Sequence, residues 1–298
     1  MRSSTSIRAA VLLVLALSAT ACTIGDDGAA APSSAGPTVA TAPTTAPSTA
    51  GPGRPAPSQR ADPLQAALTR AVGEVPGGAS IAVAAGGRVV TAGDSAALPA
   101  WSTSKVPLVM AALERSGRQQ ATDRMRAAIT QSDNDAAEAI WDSLGTPAQA
   151  GAAVQNVLHA GGDARTTVQT RKVRPEYSAF GQTLWTDDAA ARFAARIPCS
   201  PAGLTALGLM QQVAGNQQWG LYGLRGAQSV GVKGGWGPGT DGAYVVRQLA
   251  VVQTERGTTG VMLSVRPADG ALASGEAALT TLANAVRTHL GALPAAAC

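Results

Sequence analysis

Residues 101–113 read WSTSKVPLVMAAL and contain both the start of a helix and the first candidate reactive groups. Apolar residues lie nearly all round the helix that begins near Ser104, which predicts that this helix is buried. Pro107 falls in the first turn, where proline is tolerated. Ser102 and Lys105 are three residues apart, so at a helix start their hydroxyl and amine can touch. Burial favours the neutral amine of Lys105, which could then take the proton of Ser102.

Lysine is scarce in this chain, which makes each lysine informative. Of the 23 basic residues, only Lys105, Lys172 and Lys233 are lysines. A desolvated lysine amine can lose its proton, whereas an arginine guanidinium cannot. A retained lysine therefore indicates a task that arginine cannot perform, although Lys172 by itself is attributable to chance. The Ser102–Lys105 spacing is weak evidence alone, because about one such match is expected by chance in a chain of this length, and Ser102 could simply cap the helix.

A second polar cluster, Ser132-Asp133-Asn134, stands between two predicted helices. The hydroxyl of Ser132 could relay a proton to a leaving group, and Asn134 could hold a substrate amide. The alternative is ordinary helix capping, because Ser, Asp and Asn all favour helix N-termini.

A third cluster, Lys233-Gly234-Gly235-Trp236, is predicted to lie at the end of a strand that leads into a turn. This strand, Gly235 included, could hydrogen-bond a peptide-like substrate, and Lys233 could attract the carboxylate of that substrate. The backbone N–H of Trp236 could hold a developing oxyanion together with the N–H groups at the helix start near Ser102.

Taken in this order, S-x-x-K, S-D-N and the Lys-Gly-Gly at residue 233 resemble the three signature motifs of class A β-lactamases and penicillin-binding proteins. The resemblance covers about residues 63–298. It implies a serine hydrolase that forms an acyl-enzyme on Ser102 with Lys105 beside it. It also implies a β-lactam or a D-alanyl cell-wall peptide as the substrate, and no cofactor.

The remaining pattern of residues 63–298 predicts an α+β fold. Helical spacing predicts helices, and β-rich runs predict strands. The helices are expected at about 63–75, 104–113, 123–130, 135–144, 148–158, 187–197, 204–213 and 274–290, and the strands at about 80–85, 88–92, 166–169, 229–233, 243–254 and 260–265. Because parallel βαβ alternation is absent, we expect an antiparallel β-sheet built from both ends of the domain and flanked by helices, with an all-helical subdomain.

Two departures from the family pattern bear on substrate binding. Gly234 stands where the family usually has a hydroxyl side chain that helps to bind the substrate carboxylate. The loss of a hydrogen bond to a charged group costs roughly 1.5–3 kcal/mol. The interval between Ser102 and Ser132 is also short for a class A enzyme, which predicts a reduced helical subdomain and a more open site.

A third departure concerns deacylation, for which class A enzymes use a glutamate on an Ω-shaped loop. The matching segment is residues 171–185, RKVRPEYSAFGQTLW, and its only acidic residue is Glu176. Arg174-Pro175-Glu176 resembles the Arg-x-Glu of that loop, but the asparagine usually found a few residues later is missing. Glu176 is therefore the candidate deacylating base, and the alternative is a solvated loop carboxylate.

Composition argues against several other classes of protein. The two histidines, His159 and His289, are both predicted at helix ends, and no G-x-S-x-G sequence accompanies them, so a Ser-His-Asp triad is not supported. Cysteine and histidine are not clustered as metal ligands would be. The formal net charge of +4 includes Arg2 and Arg8, and without a run of basic residues it gives no reason to expect a nucleic-acid partner.

Residues 1–22 resemble a bacterial export signal. Arg2 and Arg8 supply a positive region, and Ala9–Leu17 is an apolar run shorter than the roughly 20 residues of a membrane-spanning helix.

The export signal ends in Ala19-Thr20-Ala21-Cys22, which resembles a lipobox with Ala19 in place of the usual leucine. We therefore predict lipidation of Cys22, with a plain secretory signal as the alternative. Residues 23–62 are rich in Ala, Pro, Ser, Thr and Gly and predict a disordered tether. The hydrolase domain at 63–298 is then expected at the outer face of the cytoplasmic membrane, held only by the lipid anchor, or else secreted.

Lipidation of Cys22 leaves Cys199 and Cys298 as a pair in an oxidising compartment. A disulfide between them is the natural expectation, and two unrelated thiols are the alternative.

The sequence thus supports two functional hypotheses. The first is a monomeric envelope serine hydrolase that acts on a small β-lactam or a peptidoglycan peptide. The second is a catalytically attenuated lipoprotein that uses the same fold as a binding module. Gly234 and the altered Ω-like loop favour the second hypothesis, whereas the Ser102–Lys105 pair favours the first.

Overall fold

The computed structural model describes residues 62–94 and 96–298, so the predicted export signal, Cys22 and the predicted tether up to residue 61 lie outside the described residues. The α-helices of the described part are α1 (Pro63–Gly73), α2 (Lys105–Ser116), α3 (Asp123–Thr130), α4 (Asn134–Ser143), α5 (Pro147–Ala160), α6 (Asp187–Arg196), α7 (Pro201–Met210) and α8 (Leu272–Thr288). Its β-strands are β1 (Gly77–Ala85), β2 (Arg88–Gly93), β3 (Leu98–Pro99), β4 (Leu184–Trp185), β5 (Ser229–Pro238), β6 (Tyr244–Thr254) and β7 (Gly257–Pro267). None of these helices is both long and apolar enough to cross a membrane.

A five-stranded antiparallel sheet with the strand order β2-β1-β7-β6-β5 forms the centre of the domain. Two neighbouring glycines, Gly86 and Gly87, both have positive φ and turn β1 into β2. β1 and β2 come from one end of the domain and β5, β6 and β7 from the other, as predicted. β5 pairs only with β6 and is therefore an edge strand, which leaves its other side free to face the helical part of the domain.

The sheet separates two apolar cores because side chains alternate between its faces. Ile81 and Val83 belong to the core shared with α1 and α8. Ala82 and Ala84 belong to the core shared with the helical block. α2 runs through this second core with every residue from Lys105 to Leu113 buried, as its all-round apolar pattern predicts.

Capping side chains place the loop between α3 and α4. Thr122 caps α3 by accepting the N–H of Met125, and Asp133 caps α4 by accepting the N–H of Ala136 at 2.7 Å. The connection between the two helices is therefore reduced to residues 131–133, and Ser132 lies at its centre.

The strand predicted at residues 166–169 does not form. Side chains, instead of a neighbouring strand, satisfy the backbone there: Asp163 accepts from the N–H of Thr166, and Gln155 bonds both the carbonyl of Thr166 and the N–H of Val168. The short strand that does form in this part of the chain is β4, which pairs with β3.

The predicted disulfide joins Cys199 to Cys298. The segment after α8 also makes a bridge to β7, between Ala296 and Thr258. Both contacts hold the end of the domain against the sheet and the start of α7.

Candidate active site

Ser102 lies in a 3-10 turn, Trp101–Ser104, that leads directly into α2. This turn packs closely against β5: a Cβ on Gly235 would lie 2.9 Å from two backbone atoms of the segment that carries the turn. Only glycine fits at that position. Ser102 does not cap α2, because the residue before the helix is Ser104. The side chain of Ser102 is left to line a cavity.

Lys105 is buried at the start of α2, and its amine faces the loop before α4. Nζ donates to Ser132 O (2.6 Å), Asp133 O (3.1 Å) and Asn134 Oδ1 (2.7 Å). Burial lowers the pKa of Lys105 to about 8, against the opposing attraction of nearby carboxylates. The predicted contact of this amine with the Ser102 hydroxyl is not among the hydrogen bonds of the described residues, because the loop oxygens take up all three N–H donors of an ammonium group.

Ser132 connects the two buried lysines. Its carbonyl accepts from Lys105, and its Oγ accepts from Lys233 Nζ at 2.9 Å. Burial lowers the pKa of Lys233 well below its ordinary value, and the positive charge of Lys105 lowers it further. Ser132 holds this position with φ 61°, in the left-handed region that is uncommon for a residue with a side chain.

Lys233, Gly234 and Gly235 lie in the interior of β5, which continues to Pro238. The prediction that this cluster ends the strand and leads into a turn was therefore wrong. A glycine-rich run resembles a turn in sequence, but here the small residues allow the strand to lie against the turn that carries Ser102. Trp236, further along β5, reaches the cavity.

A cavity of about 440 Å³ opens between α2, the loop before α4, β5 and residues 172–181. Of the residues predicted to act, it is lined by Ser102, Lys105, Ser132, Asn134, Glu176 and Trp236. Lys233 and Gly235 are not among the described residues that line it and lie behind the surface in β5. Within the described part of the chain, no group of three or more His, Cys, Asp or Glu side chains could hold a metal ion.

Glu176 borders the cavity on the Ω-like loop, where its carboxylate pairs with Arg174 at 3.3 Å. Arg174 in turn donates to Pro238 O at 2.6 Å and lies 4.3 Å from the ring centre of Tyr177. The arginine thus fastens the loop to the end of β5. The Glu176 side chain remains 56% exposed, and its role as deacylating base stays a prediction.

Glu138 is a lining residue that the motifs do not single out. It lies on α4, is 29% exposed, and pairs with Lys172 Nζ at 3.3 Å. Glu138 follows Asn134 by four residues, which places both on one face of the helix. That spacing is the signal by which it could be found. The same ion pair holds Lys172, whose retention as a lysine was attributed above to chance, in the lining of the cavity.

Gln217 is the second group that the motifs do not single out. It lies in a short 3-10 turn, Gly215–Gln217, and its side chain is fully buried. Its amide oxygen accepts hydrogen bonds from the amine of Lys233 and the N–H of Gly234. No motif spacing signals this residue, because the contact depends on how the turn packs against β5.

Neither a scan of protein-family models nor a search of curated protein sequences found a match. Solved structures do match. A putative class A β-lactamase from Rhodopseudomonas palustris is 20% identical, with 77% of this chain and 99% of that chain covered and a TM-score of 0.60. A β-lactamase from Burkholderia vietnamiensis is 17% identical, with 78% and 98% covered and a TM-score of 0.62. An engineered variant of a class A β-lactamase reconstructed for the last common ancestor of Gram-negative bacteria is 20% identical, with 76% and 98% covered and a TM-score of 0.60.

These likenesses establish the fold. The chain has the α+β fold of the class A β-lactamases that it matches, with an antiparallel sheet flanked by helices, as the sequence predicted.

Proposed function

We propose that the protein is a cell-envelope serine hydrolase that works through an acyl-enzyme on Ser102. The observation that supports this most is the convergence at one cavity of the Ser102 hydroxyl, the buried Lys105 amine and the Ser132 hydroxyl. These groups come from the turn before α2, from α2 itself and from the loop before α4. A desolvated lysine close to a cavity-lining serine is the arrangement that activates a hydroxyl nucleophile.

In the proposed acylation, neutral Lys105 takes the proton of Ser102 as Oγ attacks the acyl carbon. The Oγ–carbon bond forms, the bond to the leaving group breaks, and the leaving group receives a proton through Ser132. With a pKa of about 8, on the order of a tenth of Lys105 is neutral at pH 7. Lys105 must exchange one loop hydrogen bond for the serine, and catalytic hydrogen bonds often tighten only when substrate is bound. The backbone N–H groups of Ser102 and Trp236 would hold the oxyanion.

Deacylation needs a base that activates water. Three carboxylates line the cavity, and the two glutamates, Glu138 and Glu176, are the candidates. Glu176 matches the Ω-loop pattern, but it is 56% exposed and paired with Arg174. Glu138 is 29% exposed, and its charge acts on Lys105. We expect Glu138→Gln to prolong the life of the acyl-enzyme by at least about tenfold and the matched Glu176→Gln to change it less. Both lifetimes are measured by removing the excess acyl donor and following the loss of the adduct by intact-mass spectrometry. A longer lifetime in Glu176→Gln than in Glu138→Gln would return the role to Glu176.

The resemblance implies a β-lactam or a D-alanyl cell-wall peptide as the substrate. The predicted lipid anchor at Cys22 would hold a monomeric domain at the outer face of the cytoplasmic membrane, where cell-wall peptides are within reach. The disulfide between Cys199 and Cys298 supports a compartment outside the cytoplasm, because disulfides persist in oxidising surroundings.

The experiment that tests the proposed function is intact-mass spectrometry of the protein mixed with excess penicillin and followed over time. We expect a covalent adduct in the wild type and none in Ser102→Ala, because Oγ is the atom that is acylated. Ser104→Ala is the matched control, since this neighbouring hydroxyl donates to Trp101 O and does not line the cavity. An adduct of equal yield in Ser102→Ala would overturn the assignment of the nucleophile.

One observation favours a second candidate function, that of a catalytically attenuated binding module. Lys105 and Lys233 each donate three hydrogen bonds to groups of the protein itself. If these bonds are permanent, Ser102 has no base, and the cavity can only bind. Absence of any adduct both with penicillin and with an uncharged aryl ester, together with saturable binding of penicillin, would establish this alternative.

A further inference from the structure

Internal acceptors already use every N–H group of the Lys233 amine. Nζ donates to Ser132 Oγ (2.9 Å), Gln217 Oε1 (2.5 Å) and Gly234 O (2.8 Å). An ammonium group has three donors, so a substrate carboxylate could bind Lys233 only by displacing one of these oxygens. Burial also lowers the pKa of Lys233, which weakens it as a positive charge.

Gln217 is fixed at both ends of its amide group. Oε1 accepts from Lys233 Nζ and from Gly234 N (3.1 Å), and Nε2 donates to Ile129 O and Thr130 O, each at 3.0 Å. Its displacement would break the hydrogen bonds to Gly234 N and Ile129 O in the buried interior, which is strongly unfavourable, whereas Thr130 O would keep the N–H of Ala214. The amide oxygen therefore occupies the position at which Lys233 and Gly234 would otherwise receive an anion.

Two tryptophans fill the space around Gly234. A Cβ at this position would lie 2.9 Å from Trp219 Cζ2 and 3.1 Å from Trp236 Cζ3. Trp219 is held by a hydrogen bond from Nε1 to Asn216 O (3.0 Å) and by an edge-to-face contact with Trp236. A serine or threonine does not fit at residue 234 without moving these rings. The missing hydroxyl is therefore part of a packed arrangement and not an isolated substitution.

The charges on the cavity surface do not attract anions either. The lining contains three carboxylates and two amines, those of Asp135, Glu138, Glu176, Lys105 and Lys172. A negatively charged substrate would therefore meet a lining with no excess of positive charge.

We propose that this site prefers acyl donors that carry no carboxylate beside the scissile bond, because Gln217 and Trp219 fill from within the place where such a carboxylate would bind. A penicillin, which carries this carboxylate, would then acylate Ser102 slowly and only when present in excess. The inference rests on the proposed acyl-enzyme at Ser102 and refines its substrate class, because uncharged esters or amides would acylate faster than the carboxylate-bearing β-lactams and D-alanyl peptides. In the reaction, Ser102 Oγ bonds to the acyl carbon and the neutral leaving group departs with one proton. Water then cleaves the new ester and releases the acid.

Two aryl esters that differ in this charge and by one methyl group test the proposal: the phenylacetyl esters of 3-hydroxybenzoic acid and of methyl 3-hydroxybenzoate. The rate of Ser102 acylation is measured for each by intact-mass spectrometry and divided by its rate of hydrolysis by hydroxide, which removes the difference in intrinsic reactivity. We expect the methyl ester to be preferred by about tenfold to a hundredfold, the effect of one unmade hydrogen bond to a charged group. Equal normalised rates, or faster acylation by the acid, would overturn the proposal while leaving the acyl-enzyme in place.

If neither ester acylates Ser102, the proposed function fails and this inference fails with it. Gln217→Ala then identifies the cause of a measured preference, because it frees an N–H of Lys233 and should reduce the preference about tenfold. The matched control is Gln212→Ala, an exposed glutamine whose side chain donates to Gly208 O. Thermal unfolding of both variants shows whether they fold. The comparison of the two esters on the wild-type protein decides the proposal even if Gln217→Ala does not fold.

Discussion

Two regions of this domain bury a cation, and they compensate its charge in different ways. In the scaffold, the Arg247 guanidinium on β6 pairs with Asp187 Oδ1 at 2.7 Å and donates to Ser264 Oγ at 2.9 Å. Asp187 also accepts from Ser80 Oγ at 2.5 Å, so the contacts tie α6 to β1, β6 and β7. A carboxylate cancels the buried charge, and the network is closed.

At the cavity, neutral oxygens take the place of the carboxylate. Within the described part of the chain, Lys105 and Lys233 form no ion pair and donate only to carbonyl, amide and hydroxyl oxygens. Burial lowers the pKa of each amine, and at Lys105 the carboxylates of Asp133 and Glu138 oppose this lowering only in part. The comparison teaches that a buried guanidinium paired with a carboxylate belongs to a fixed structural network, whereas a buried amine held only by neutral oxygens is suited to losing a proton.

The strongest way to break this comparison is to exchange the two types of cation. We expect Lys105→Arg to slow acylation of Ser102 by about 10²–10⁴-fold, because a guanidinium cannot act as a base. In the reciprocal variant, Arg247→Lys, Ser102 should be acylated at close to the wild-type rate, whereas the free energy of unfolding should fall. Acylation kinetics by mass spectrometry and denaturant unfolding separate the two effects, and unchanged acylation in Lys105→Arg would remove the lysine from the mechanism.

A second prediction removes the compensating charge from the scaffold. Asp187→Asn leaves Arg247 buried without its carboxylate, so we expect the free energy of unfolding to fall by about 3–5 kcal/mol. Asp188→Asn is the matched control, because its partner Arg165 is largely exposed and such a pair is worth about 1 kcal/mol or less. Urea unfolding measures the free energy of unfolding of both variants. Equal decreases would show that the buried ion pair contributes no more to stability than the exposed one.

The smallest effect is the dependence of acylation on pH, which sharpens the comparison without a mutation. Lys105 acts as a base only when neutral, and its pKa is about 8. Acylation should therefore rise about tenfold per pH unit below pH 8 and level off above it. A rate that is flat between pH 6 and 9 would mean that deprotonation of Lys105 does not limit the step.

The parts of the molecule that the sequence predicts well are those decided by local pattern. The burial of α2 follows from apolar residues on all its sides, and the β1–β2 hairpin follows from Gly86-Gly87 between two apolar runs. The β-rich composition gave a wrong prediction at residues 166–169, because composition cannot distinguish a strand from a segment whose backbone is held by side chains.

The candidate site was predictable only in part, for a similar reason. Ser102 and Ser132 are marked by motifs, and the structure brings both to one cavity. The contact of Gln217 with Lys233 depends on the packing of a turn against an edge strand, which leaves no periodic trace in the sequence. The length of β5 was underestimated because glycines that permit close packing look like glycines that permit a turn.

The backbone conformation at the two reactive hydroxyls determines which substitutions there would stabilise the protein. Trp101 and Ser132 both take positive φ, at 48° and 61°, and a non-glycine residue held in such a conformation gives up roughly 1–3 kcal/mol. Glycine at residue 132 would recover part of that stability but would delete the hydroxyl from the cavity. At residue 101 the loss of the buried tryptophan ring, about 3–5 kcal/mol for a large aromatic side chain, would outweigh the recovery. A substitution that favours stability alone is therefore expected at residue 132 and not at residue 101, and it would remove the hydroxyl that the proposed mechanism uses.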